Sequence, residues 1–187
     1  MGRFIVFDVE TPNSYNDRMS AIGVAVVENG VICDSFSALV DPETYFNSFN
    51  IALTGITPEA VCGAPTFPEL WERLCPLFTS GVLAAHNAPF DMSVLAKCLS
   101  AYGFDEPRFL DYVCTVQMGR RVYPRLENHR LDTMCRHLDI PLDHHRAGSD
   151  AEACARLLID YAQKGLVVED YVRTYDTALC RTCRTLH

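Results

Sequence analysis

Four carboxylates in this 187-residue chain stand where a folding sequence would ordinarily place apolar groups. Asp8 lies in, and Glu10 directly follows, the most apolar run of the sequence, residues 3–9. In an extended strand, side chains two apart point to the same face, so both acids look the same way. Like charges side by side against a core repel each other and lose hydration. The plain alternative is a strand that stops at Asp8 and leaves both acids in water. Asp91 falls in the middle of the stripe Val94, Leu95, Cys98, Leu99 and Tyr102 on a predicted helix over 89–102, at ~100° per residue. Asp150 precedes Cys154, Leu157, Leu158 and Tyr161 on the same face of a predicted helix over 149–164. A favourable helix dipole explains an acid in a first turn, but not its inward direction.

Four such acids are costly to keep ionised unless cations lie between them. A set of oxygen ligands suits Mg²⁺ or Mn²⁺ better than Zn²⁺, which prefers thiolate or imidazole. Two hard cations ~3.5–4 Å apart can clamp the attacking and departing oxygens of a phosphoryl transfer. A histidine beside such a site can take a proton from water near neutral pH. His144 and His145 both precede Asp150 in a loop, and spacing alone does not separate them; a surface loop histidine is the ordinary alternative for either.

The elements that must position these groups follow from pattern. Residues 3–9 read as a strand buried on both faces, hence central in a sheet. Residues 20–28 and 31–40 are two more β-rich runs, and Asn29-Gly30 between them signals a tight hairpin. Residues 41–65 are irregular, with short helical pieces expected at 47–53 and 58–62. Thr66 with Glu69 makes a capping box for a helix to about Phe78. Val82–His86 reads as a short buried strand, and Pro89 suits a first helical position. A fifth strand is expected at 109–113, with helices near 115–122 and 130–138. Ser149 with Glu152 suggests a second capping box, and Gly165 a stop. Strands alternating with helices after a hairpin indicate an α/β domain with a mixed sheet, over residues 1–167. Residues 168–187 read as a tail, a short helix and then a frayed end.

The chain is 49% apolar and 21% charged, as for an ordinary globular domain. No segment approaches the ~20 apolar residues of a membrane span. An acid comes too early for a signal peptide and residues 2–6 lack the Ser or Thr of a myristoylation signal, so a cytoplasmic protein is expected. The nine cysteines then read as free thiols. A net charge of −8 argues against gripping long duplex DNA by charge alone, although bound cations would reverse the field at an acidic site.

Three segments together carry a resemblance. Asp8-Val9-Glu10-Thr11, His86-Asn87-Ala88-Pro89-Phe90-Asp91, and His145 followed five residues later by Asp150 resemble, in order and spacing, the three motifs of the DEDDh-type 3′→5′ exonucleases. The proofreading epsilon subunit of bacterial DNA polymerase III typifies that family. The resemblance spans roughly residues 3–164. It implies a ribonuclease H-like fold with a five-stranded mixed sheet flanked by helices, and two Mg²⁺ or Mn²⁺ ions held by Asp8, Glu10, Asp91 and Asp150. It selects His145 over His144 as general base. It also places a nucleotide pocket around Thr11, His86 and Asn87. Single-stranded DNA 3′ ends are the implied substrate, nucleoside 5′-monophosphates the product, and a DNA polymerase a candidate partner. Pro12-Asn13 departs from the threonine and glycine of many members, which bears on the 3′-end pocket.

Two rivals remain at this level: RNA 3′-end trimming on the same site, and a non-catalytic nucleic-acid or replisome binding module. Cys180 and Cys183, with His187 beyond, are half of a zinc site without its second half. Arg120, Arg121, Arg125, Arg130, Arg136 and Arg146 either touch phosphates or form a solvated face. Trp71, spaced with Leu70, Leu74 and Leu77, reads as core.

Overall fold

The apolar run at the start of the chain becomes β1, Arg3–Glu10, and lies third in a six-stranded sheet. This architecture is that of a computed structural model in which residues 1–179 are described. Antiparallel to β1 runs β2, Ala21–Glu28, which turns through Asn29 and Gly30 into β3, Val31–Leu39. Both turn residues have positive φ, 51° and 81°, as a tight primed turn requires. On its other side β1 pairs in parallel with β4, Val82–Ala85, and β4 with β5, Phe109–Cys114. The order is β3-β2-β1-β4-β5-β6.

Period-two alternation divides β1 between two cores. Ile5, Phe7 and Val9 pack toward Phe67, Trp71, Met92 and Leu95. Those residues come from α2, Phe67–Phe78, and α3, Pro89–Ala101. A short helix α1, Ser48–Thr54, precedes them. Phe4 and Val6 pack on the opposite side, against α4, Thr115–Val122, α5, Leu131–Leu138, and α6, Ala147–Gln163. Asp8 and Glu10 continue the Phe4–Val6 row and therefore look toward α6. Trp71 is buried and stacks on Phe67 at 5.5 Å, as a core residue does. Glu69 accepts the backbone N–H of Thr66 at 2.8 Å, closing the expected capping box.

Three elements differ from expectation. The sheet has six strands rather than five, because Arg173–Asp176 pairs antiparallel with β5 as β6 after a 3-10 turn, Val168–Tyr171. Its four residues, Arg-Thr-Tyr-Asp, are too short and polar to show a strand period. Residues 58–63 form turns instead of a second short helix. The last helix begins at Ala147, not Ser149: Arg146 is its N-cap, and the Ser149 hydroxyl accepts the Asp143 N–H at 2.8 Å. The Cys180–Cys183 segment lies outside the described residues. Among those described, seven cysteines are free thiols and no helix is long and apolar enough to cross a membrane.

Candidate active site

β1 outruns β4. Their pairing stops at Val6 and Ala84, whereas β1 continues to Glu10. The ends of parallel strands in an open sheet form a crevice at such a point. There the backbone N–H of Val9, beyond the reach of β4, donates to Asp91 Oδ1 at 3.3 Å. Asp91 arrives in the first turn of α3, and its carboxylate caps the buried edge of β1 that β4 leaves unpaired.

Asp150 arrives from the other side. Gly23 of β2 is the register partner of Asp8. A Cβ at Gly23 would meet the Ala147 carbonyl oxygen at 1.9 Å, so the start of α6 rests on bare β2 backbone. One turn into α6, Asp150 then faces the tip of β1. Carboxylate oxygens of Asp8, Glu10 and Asp150 lie within 4.8 Å of one another. Asp91 is 2% exposed, Asp150 3% and Glu10 7%, so none of these acids is simply solvated.

Their electrostatics follow from crowding. Burial first, then Asp91, Asp150 and Glu10, raises the Asp8 carboxyl well above the ordinary carboxylate range. Burial also raises Asp91, against the opposing hydrogen bond from Val9. Glu10 is pushed up to about 7 by burial and by Asp150. Burial raises Asp150 too, while the hydrogen bond from His144 pulls the other way. The set is short of positive charge at neutral pH, and its donors are all carboxylate oxygens. That is the donor chemistry hard divalent cations take.

Both histidines come to this cluster in different ways. His144 Nδ1 sits 3.2 Å from each Asp150 carboxylate oxygen. The His145 backbone N–H donates to Asp150 Oδ2 at 3.0 Å, held by a positive φ of 64°. The His145 ring stacks on that of His144 at 4.0 Å, and its nitrogens have no hydrogen-bond partner among the described residues. Burial and the neighbouring His144 lower its pKa.

A cleft of about 740 Å³ opens over the cluster. Thr11 lines it, and its carbonyl accepts Asn50 Nδ2 at 2.7 Å; Asn87 lines it at the turn into α3 with a φ of 70°. His86 lines it too, but both ring nitrogens are engaged: Nε2–H donates to the His129 carbonyl at 3.0 Å, and Nδ1 accepts from Thr115 at 2.9 Å. Burial lowers His86 to about 4, so the ring is neutral. Sequence reasoning did not anticipate Asn50, Leu53, Asn128 and His129 in this cleft, because the short helix α1 and the loop between α4 and α5 bring them from distant segments with no periodic signal. A larger groove, about 980 Å³, runs between β3 and α6, and none of the four acids lines it.

Comparison with known proteins supplies the family. A family model describing RNase T exonucleases matches residues 5–158. The chain belongs to the RNase T exonuclease family. The exonuclease is 38% identical over 158 residues to the PolC-type DNA polymerase III of Halalkalibacterium halodurans, covering 83% of this chain and 11% of that protein. It is 35% identical over 174 residues to the Bacillus subtilis PolC-type polymerase, covering 89% and 12%. The chain thus spans only a small part of the length of these relatives. Among solved structures, Exonuclease X in complex with 5′ overhanging duplex DNA is 26% identical with a TM-score of 0.72, covering 91% of this chain and 97% of that one. The nuclease domain of 3′hExo, a DEDDh family member bound to rAMP, is 19% identical with a TM-score of 0.72, covering 93% and 95%, and shares the fold. The DEDDh resemblance and the ribonuclease H-like fold are borne out. In this exonuclease the departure at Pro12-Asn13 has a structural use. Asn13 is buried, donates from Nδ2 to the Tyr45 carbonyl at 2.9 Å, and accepts the Tyr15 N–H at 3.0 Å, stitching two loops beside the cleft.

Proposed function

We propose that this domain removes nucleotides from the 3′ ends of single-stranded DNA and releases nucleoside 5′-monophosphates. In this reading Asp8, Glu10, Asp91 and Asp150 hold two divalent cations, Mg²⁺ or Mn²⁺, and His145 is the general base. The observation that carries it is the convergence of the acids: three share a space of 4.8 Å, and the fourth is bonded to the backbone between Asp8 and Glu10. Bound there, such cations would make water more acidic and offset the charge that builds on the phosphate and the departing oxygen.

The chain's own groups do the rest. Asn50 fixes the Thr11 carbonyl and hydroxyl, so the backbone beside the first motif is set for the terminal sugar. Leu53, Phe90 and Val116 offer apolar surface to the base. A terminal nucleotide must leave its stack to enter, which favours a single strand. His145, with a lowered pKa and free ring nitrogens, is neutral at pH 7 and able to accept a proton. His144 keeps Asp150 aimed at β1. The catalytic unit is residues 1–167, to which the following segment adds β6. DNA is favoured over RNA by the polymerase relatives, which also support work beside a polymerase in the cytoplasm.

On 5′-labelled single strands, Mg²⁺ should give a ladder receding from the 3′ end, and chelator should stop it. Asp8→Ala and Asp150→Asn should each abolish the ladder; wild-type rates in both would remove this reading. His145→Ala should cost roughly 10²–10⁴-fold. If His144→Ala costs that much and His145→Ala little, the two histidines exchange roles. Matched DNA and RNA oligomers decide the sugar.

A further inference from the structure

The acids account for one wall of the cleft and leave the other unexplained. Arg120, in the last turn of α4, and Arg130, the N-cap of α5, both line it. Asp132 lines the cleft as well, but it pairs with Arg136 at 3.6 Å, and outside the cleft Arg146 pairs with Asp143 at 3.5 Å. Arg120 and Arg130 have no carboxylate partner among the described residues. Two unpaired guanidinium groups in a chain of net charge −8 are not neutralising a neighbour.

Their positions are set by specific contacts. A Cβ on Gly119 would meet Tyr161 Oη at 2.8 Å, so α4 lies close against α6 beside Arg120. The segment leading to Arg130 is pinned by His86 to the His129 carbonyl, by His129 Nε2 to the Tyr123 carbonyl at 3.0 Å, and by the Arg130 N–H to Asn128 Oδ1 at 3.0 Å. His86 ties this segment to the end of β4, from which the chain turns toward Asp91.

We propose that Arg120 and Arg130 form a phosphate-binding wall for the linkages on the 5′ side of the scissile bond. This rests on the exonuclease reading and extends it: the strand's backbone runs along α4 and α5, and its bases face Leu53 and Phe90. Guanidinium forks suit phosphate oxygens, and two such contacts give hold on a strand without reading its sequence.

The test is an anisotropy titration of labelled oligothymidylate in chelator, alongside KM in Mg²⁺, for wild type, Arg120→Gln, the Arg120→Gln/Arg130→Gln double variant and Arg156→Gln. Arg156→Gln removes the same charge away from the cleft, where Arg156 pairs with Glu152. The double variant should raise both Kd and KM roughly three- to tenfold. The salt slope of log Kd should fall by ~0.7 for each phosphate no longer held. Arg120→Gln, which leaves the α5 N-cap intact, should show about half of each change, and Arg156→Gln none. On a nitrophenyl ester of thymidine 5′-monophosphate, which has no upstream phosphate, the loss should be far smaller. Unchanged Kd and salt slope in the double variant would overturn the proposal, and so would an equal loss on the ester. If wild type binds the strand but cuts neither substrate, the exonuclease reading fails while the binding arm still judges the arginines.

Discussion

Glu10 shows at the scale of one residue what the site costs the fold. Its pKa in the folded chain is about 7, against 4.5 for an ordinary glutamate. The folded state therefore binds this proton more tightly than the unfolded state. The associated stability is full below about 4.5 and is lost as pH rises through about 7. Asp8 and Asp91, raised for the same reason, act in the same direction. Thermal melts in chelator should show a Tm that declines across this window. Glu10→Gln should flatten the decline and raise the cation-free stability above pH 7 by on the order of 1–3 kcal/mol, while abolishing hydrolysis. A cation-free Tm that climbs with pH would contradict the crowding of the four acids.

Among elements, α6 makes the closest approach to bare β2 backbone. Its first residue lies on Gly23, and the nearest atom to an added Cβ is backbone, which cannot swing aside. Gly23→Ala should therefore cost about 1–3 kcal/mol and, by shifting Asp150, lower activity by on the order of 10²-fold. Paired melts and rates check it; a variant with wild-type activity would mean that α6 is placed by other contacts. The inward aim of Asp91 and Asp150 was legible in the sequence, because both lie on the apolar stripe of their own helices. The first hairpin was legible from Asn29-Gly30 and its flanking apolar runs. The start of α6 was not: Ser149 and Glu152 imitate a capping box, while the Ser149 hydroxyl serves Asp143. β6 was hidden by its polarity and brevity, and the meeting of Arg120 and Arg130 in one cleft by its dependence on α4, α5 and the loop between them. Which histidine acts was beyond reach of spacing, since adjacent residues in a loop carry no periodicity.

For the whole molecule, cation binding and folding should be one linked equilibrium. A ligand bound only by the folded state adds about 2.7 kcal/mol at a hundred times its Kd. Mg²⁺ or Mn²⁺ should raise the Tm of wild type markedly, and that of Asp150→Asn much less; equal shifts in both would place the ions elsewhere. The topology of the sheet also fixes where the polypeptide enters and leaves. β1 starts, and β6 ends, on the margin opposite the carboxylates, because β6 runs back alongside the beginning of β5. Extra sequence fused at Met1 would thus emerge behind the catalytic mouth. A junction placed there leaves the cleft clear for an incoming strand.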